Sequence, residues 1–228
     1  MVRAAETALM AAWPGLNLTV EKVARPADAA LLARAEGAEM LVLGSSGHGA
    51  VAGFLLGSVG HQVLSRATCP VVMVRADGVG GGGQGAGEVV VGLRELDRST
   101  GPLLRFAAGA AEARKTSVRV LHAWNVPPEV HHHRNALRVV DEDGPTAHRE
   151  EEALAATVSA WQHGLPPRTV QEVVRGSPSD ALAEASRNAA VVVVGRKVRH
   201  PCVGMRIGPV AHSVLQRVAV PVAVVPHG

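Results

Sequence analysis

Residues 44–59 read Gly44-Ser45-Ser46-Gly47-His48-Gly49-Ala50-Val51-Ala52-Gly53-Phe54-Leu55-Leu56-Gly57-Ser58-Val59, a G-x2-G-x9-G-S pattern. The run before it, Met40-Leu41-Val42-Leu43, has the length and composition of a buried parallel strand. Gly57-Ser58 opens a helix that continues through Val59, Val63 and Leu64. Strand end, glycine loop and helix start then face one ligand. Glycine lets backbone amides approach phosphate oxygens with no Cβ in the way, and the unpaired amides of a helix's first turn, with its dipole, favour an anion. Gly44, Ser45, Gly47, Gly57, Ser58 and Val59 are therefore the candidate residues for a nucleotide phosphate. Turn geometry is a second reason for glycines at such offsets, so the flanks have to separate the two readings.

Downstream, His61-Gln62-Val63-Leu64-Ser65-Arg66-Ala67-Thr68-Cys69-Pro70-Val71-Val72-Met73-Val74 turns a helix directly into a Pro-led apolar strand. The stretch 37–75 resembles the universal stress protein family, whose carboxyl-terminal half carries that loop, that helix and a closing strand of this type. A second copy follows. Residues 188–226 align with 37–75 without a gap, about a third of positions being identical, so the chain is an internal tandem. Between the copies, Ala76-Asp77-Gly78-Val79-Gly80-Gly81-Gly82-Gly83-Gln84-Gly85-Ala86-Gly87 has the composition of a flexible linker. The expected division is a partial domain over 1–75, the linker over 76–87 and a complete domain over 88–228.

In the second domain, strands are expected at 88–93, 117–124, 169–174, 191–194 and 220–225, with helices at 102–114, 147–162 and 180–185. The resemblance implies the fold class: α/β, a doubly wound parallel five-stranded sheet of Rossmann-like order 3-2-1-4-5, with ligands at the carboxyl ends of the strands where the winding reverses. The first domain is a partial copy. Matching Val20 to Val170 puts Met1 opposite Glu151, which leaves no counterpart of the first two strands and leaves the expected strand 18–23 without its neighbours. The second domain has the opposite defect. Its first strand ends on Arg94 where the family carries a nucleotide-contacting Asp, Val198 replaces the second glycine of the loop, and Pro209 replaces the serine and has no N–H to donate. Arg196, Lys197 and Arg199 read as solvated loop cations.

The composition fits a globular α/β protein: 228 residues, 47% hydrophobic, with short Val/Leu runs between Ala-rich stretches. No apolar segment approaches the roughly 18 residues of a membrane span, and the first residues lack the apolar core of a signal peptide, so a cytoplasmic protein with no membrane partner is expected. The 23 basic residues are interleaved with 20 acidic ones, and Trp13, Phe54, Phe106, Trp124 and Trp161 are too few for base-stacking platforms; no nucleic-acid partner is expected. Cys69 and Cys202 sit at unmatched positions of the two copies and read as small hydrophobes. His131-His132-His133 reads as a surface loop, no further ligand following at metal spacing. His61 and His212 read as packing or capping residues, and Ser99 and Thr100 as the cap of the helix at Pro102.

The resemblance implies a stress-response or regulatory binding module that is not an enzyme, with ATP as its nucleotide in the first copy. It also implies self-association through the closing strands 71–74 and 222–225, paired antiparallel within the chain or between two chains. Two alternatives stand beside it: a scaffold for protein interaction that binds no nucleotide, and an enzyme that hydrolyses ATP or transfers an adenylyl group.

Overall fold

The computed structural model describes residues 2–45, 56–75, 87–124, 144–198 and 207–228. The linker up to residue 86, the triple histidine, Gly47, Arg199 and Cys202 lie outside the described residues. In chain order the elements are α1 (Val2–Ala12), α2 (Ala27–Ala35), β1 (Leu41–Ser45), α3 (Ser58–Arg66), β2 (Val71–Arg75), β3 (Glu88–Leu93), α4 (Gly101–Arg114), β4 (Val118–Trp124), α5 (Pro145–Ser159), β5 (Thr169–Arg175), α6 (Pro178–Ala185), β6 (Ala189–Lys197), α7 (Pro209–Arg217) and β7 (Val222–His227).

The seven strands form one sheet of order β1-β2-β7-β6-β3-β4-β5. From β5 to β7 all pairings are parallel, and read in chain order this is the expected 3-2-1-4-5 arrangement. β1 and β2 are also parallel to each other. The two blocks meet antiparallel, with Val71 opposite Val224, Val72 opposite Ala223 and Met73 opposite Val222. The closing strands therefore pair within the chain.

Uninterrupted valine runs make the central strands because both faces of the sheet are covered. Side chains alternate along a strand, so Val90, Val192, Val194, Val222 and Val224 enter a core with Val63, Leu64, Leu182, Val214 and Leu215. Their neighbours Val89, Val91, Val191, Val193 and Val225 enter a second core with Leu103, Leu104, Leu154 and Val158. The helices α3, α6 and α7 thus cover one face, and α4 and α5 the other.

The expected strand over 18–23 does not form. These residues carry no regular secondary structure and enter no strand pairing among the described residues, with Val20 and Val23 exposed. Their counterpart in the second block, β5, is held by β4 over seven register pairs, and among the described residues the first block has no strand in the place of β4. Upstream, α1 leaves Leu9, Met10 and Trp13 exposed. Among the described residues β1, at the sheet's edge, has one strand neighbour and no helix covers the face that carries Val42, which is 58% exposed.

Two arginines fasten the blocks to each other. Arg196, expected in a loop, is in β6 and buried; its guanidinium donates to the carbonyls of Ser65 (3.3 Å) and Ala67 at the end of α3. In the other direction Arg75 of β2 donates to the Val218 carbonyl, at the end of α7, at 2.7 Å. Ala67 and Val218 are the C-cap residues of their helices and occupy matching positions of the two copies. Each cation meets the negative end of a helix dipole supplied by the other copy. Replacing Arg196 by Met keeps the buried stem and removes the donors, so unfolding in urea should lose about 2 kcal/mol. An unchanged midpoint would mean that the Arg196 clasp carries no energy. Amides of residues 19–23 should exchange with solvent near the unprotected rate while those of Val89–Val91 exchange only on global opening; equal protection would mean that 18–23 pairs after all.

Candidate functional site

The start of α3 combines three features that admit an anion. Gly57 is its N-cap residue with no side-chain cap bond, the first turn holds no acidic residue, and Gly57, Ser58 and Val59 are exposed. A Cβ at Gly57 or at Gly44 would meet nothing within 4 Å, so packing does not demand either glycine. Free space over unpaired amides is what a phosphate uses. β1 carries Gly44 and Ser45 at its carboxyl end, the same edge from which the chain returns to α3. Of the expected set, Gly44, Ser45, Gly57, Ser58 and Val59 are in these two elements or at their junctions, and Gly47 lies outside the described residues. Among the described residues β1 has no strand on its other side, and they form no crevice of a doubly wound sheet beside it.

The second block shows the converse. β3 and β6 lie side by side, which creates the reversal of winding where such sheets take ligands. Pro209 is the first residue of α7, after Gly208, and one amide donor is absent there. The mouth is acidic as well as basic. Arg94 points to solvent, Lys197 donates to Glu95 at 3.2 Å, and Asp97 follows within the same connection. Asp97, not Ser99 or Thr100, caps the turn that leads into α4: its carboxylate accepts from the Ser99 amide at 2.8 Å, and the Thr100 hydroxyl donates to the Asp97 carbonyl at 2.7 Å. The Ser99 side chain and amide beside it hold the Asp97 carboxyl below the usual Asp value. The D-x-S spacing of an Asx turn carried this signal in the sequence.

Beneath this connection lies His227, which the sequence reading did not single out. Its side chain is 7% exposed and its Nδ1 has no hydrogen-bond partner among the described residues. The Ser99 hydroxyl is the other buried polar atom in that condition. Opposite the ring is Gly195, where a Cβ would stand 2.6 Å from Nε2 of His227. Burial pushes the imidazole pKa down, against the attraction of Glu95.

Other polar side chains satisfy one another. His122 is buried, with Nδ1 3.0 Å from the Leu93 carbonyl and Nε2 3.3 Å from Glu150 of α5, so it ties the end of β3 to a helix. A cleft of about 540 Å³ beside α6 is crossed by Arg119, which donates to Glu88 at 2.6 Å and Glu172 at 2.7 Å, and it contains no glycine-loop residue. The Cys69 thiol is buried and its pKa is raised by that burial, in keeping with a small hydrophobe. His61 is exposed and His212 faces Gln216 at 3.0 Å at the surface, so the packing and capping roles expected of them are not seen.

Three comparisons bear on this arrangement. The model of the universal stress protein family matches residues 2–75 and 87–226. A universal stress protein of Mycobacterium tuberculosis is 35% identical over 190 residues, covering 82% of this chain and 61% of its own length. One from Mycolicibacterium smegmatis is 31% identical over 224 residues, covering 92% of this chain and 69% of its own. The chain thus spans about three fifths of the length of several curated relatives that it matches. Among solved structures, a universal stress protein from Archaeoglobus fulgidus superposes with a TM-score of 0.71 at 20% identity, over 99% of this chain and 77% of that one, a likeness of fold.

Asp97→Ala should lower the thermal midpoint at neutral pH. A depressed carboxyl pKa contributes stability above the ordinary Asp value that is lost as pH falls through the folded-state value. The gap between wild type and variant should therefore close in acid, and a gap independent of pH would show that the carboxylate does not act as the cap.

Proposed function

The chain belongs to the universal stress protein family, and on that premise we propose that it is a cytoplasmic regulatory module that binds ATP at the start of α3, through Gly44, Ser45, Gly47, Gly57, Ser58 and Val59. The observation that carries this is the contrast among three helix starts. α3 opens on exposed amides with no cap and no acidic side chain, whereas α7 opens on Pro209 and α4 follows a turn already occupied by Asp97. An anion at α3 gains the amides and the dipole of that helix. At the second block the Glu95 and Asp97 carboxylates stand near the mouth and oppose a triphosphate.

Among the described residues no strand builds an adenine pocket beside β1, so the affinity expected is that of a phosphate contact alone. Binding rather than catalysis is the proposed activity, with the nucleotide acting as a signal. The antiparallel β2–β7 junction favours a second reading, a scaffold in which one copy serves as the pseudo-dimer partner of the other and no nucleotide is needed.

A thermal-shift titration with ATP separates the two readings. A ligand held only by the folded state adds about 2.7 kcal/mol at a hundred times its Kd. Wild type should be stabilised, Gly57→Val should not respond, and replacing Lys197 by Ala should leave the response intact. Stabilisation that survives Gly57→Val and disappears with Lys197 would move the site to the second block; no response in any form would favour the scaffold.

A further inference from the structure

His227 closes the carboxyl-end notch formed by β6, β7 and the first turns of α4. Its imidazole lies on the face of the sheet that α4 covers, between Gly195 and Leu103: a Cβ built on Gly195 would meet the ring at 2.6 Å and the Leu103 methyl at 3.2 Å. Only glycine at 195 leaves room for the ring as it stands. Glu95 and Asp97 act on His227 from the β3–α4 connection and Lys197 from β6, and α4 presents the apolar Leu103; the Arg196 guanidinium lies on the opposite face of the sheet, on the carbonyls at the end of α3. Yet Nδ1 has no hydrogen-bond partner among the described residues, so that nitrogen is enclosed without the bond that usually holds a buried histidine nitrogen.

We propose that His227 is a proton-operated latch: neutral, it lies against Gly195 and holds the notch shut; protonated, it swings out toward Glu95 and solvent and opens the carboxyl edge of the second block beside the start of α4. The closed geometry favours the neutral ring because burial costs the charged form more than Glu95 returns, with Lys197 and Arg196 opposing the charge as well. The sign follows. A histidine with a lowered pKa in the closed state binds its proton more readily in the open one, so the closed state is fully favoured above the ordinary His value near 6.5 and loses ground as pH falls toward the lowered value. Between these two values the open population rises by up to about tenfold per pH unit.

The test follows the His227 Cε1–H resonance and the amides of Gly195, Arg196 and Lys197 by NMR from pH 8 to pH 5, with far-UV circular dichroism to register global unfolding. In wild type the ring should titrate below the ordinary range, and the amides should shift with the same midpoint while the dichroism stays constant. Gly195→Ala, whose methyl displaces the ring, should show the open-state amide shifts already at pH 8 and an ordinary His227 titration. His227→Phe, which fills the notch with an apolar ring, should remove the pH response. An ordinary His227 midpoint in wild type would overturn the latch, as would amide shifts that persist in His227→Phe. A wild-type ring that titrates without any movement of the 195–197 amides would overturn it too.

Discussion

β2 runs antiparallel to β7, and that reversal positions both candidate sites. β1 and β2 point one way across the sheet and β3 to β7 the other, so the carboxyl end of β1 and the carboxyl ends of β3 and β6 lie at opposite edges. The junction is three residue pairs wide, with Val71, Met73, Val222 and Val224 all buried. Its directionality also brings the end of α3 to the carboxyl end of β6 and the end of α7 to the carboxyl end of β2, which is where Arg196 and Arg75 reach across. A parallel junction would have put those arginines at helix starts, where the dipole repels them.

In α3 the two electrostatic ends have separate tasks. It has nine residues, hence a length of about 13 Å. Its negative end is neutralised by Arg196 from the other block, while its positive end is left uncapped at the surface. The uncapped start of α3 therefore belongs to a helix whose other end is anchored by a residue of the second block. In the second block the same end of the helix has lost a donor to Pro209, and the strand end that would face a nucleotide carries Arg94, Glu95 and Asp97. Among the described residues, the first block has the uncapped helix start without a crevice beside it, and the second has the crevice with a helix that opens on proline.

The valine runs of β3, β6 and β7 were legible because burial on two faces writes itself as composition, and the strand order followed from the family resemblance. Residues 18–23 show where local reading stops. Their strand propensity is real, but a strand requires a neighbour, and the neighbour is a property of the topology. Arg196 was misread for a related reason: aligned on the glycine loop it looked like a loop residue, whereas pairing of Gly195 with Val225, Arg196 with Pro226 and Lys197 with His227 carries β6 three residues past the expected end at 194. The same extension buries His227. A register that is set by a partner strand thirty residues away decides which histidine is exposed and which is enclosed, and no spacing within either segment announces it. Asp97 was within reach, since an Asx turn is local.

The junction also orders events in time. β2 leaves a ribosome about 150 residues before β7, and at 5–20 residues per second the wait is roughly 8–30 s. During that interval the Val71-Val72-Met73-Val74 edge has no intrachain partner except β1, and the carbonyls at the end of α3 have no Arg196. Contacts of such long sequence separation form late because chain closure has to precede them. The first block is thus a guest that waits for its host, and the amount of native protein recovered from a cell depends on how well that unpaired valine edge is shielded while synthesis is completed.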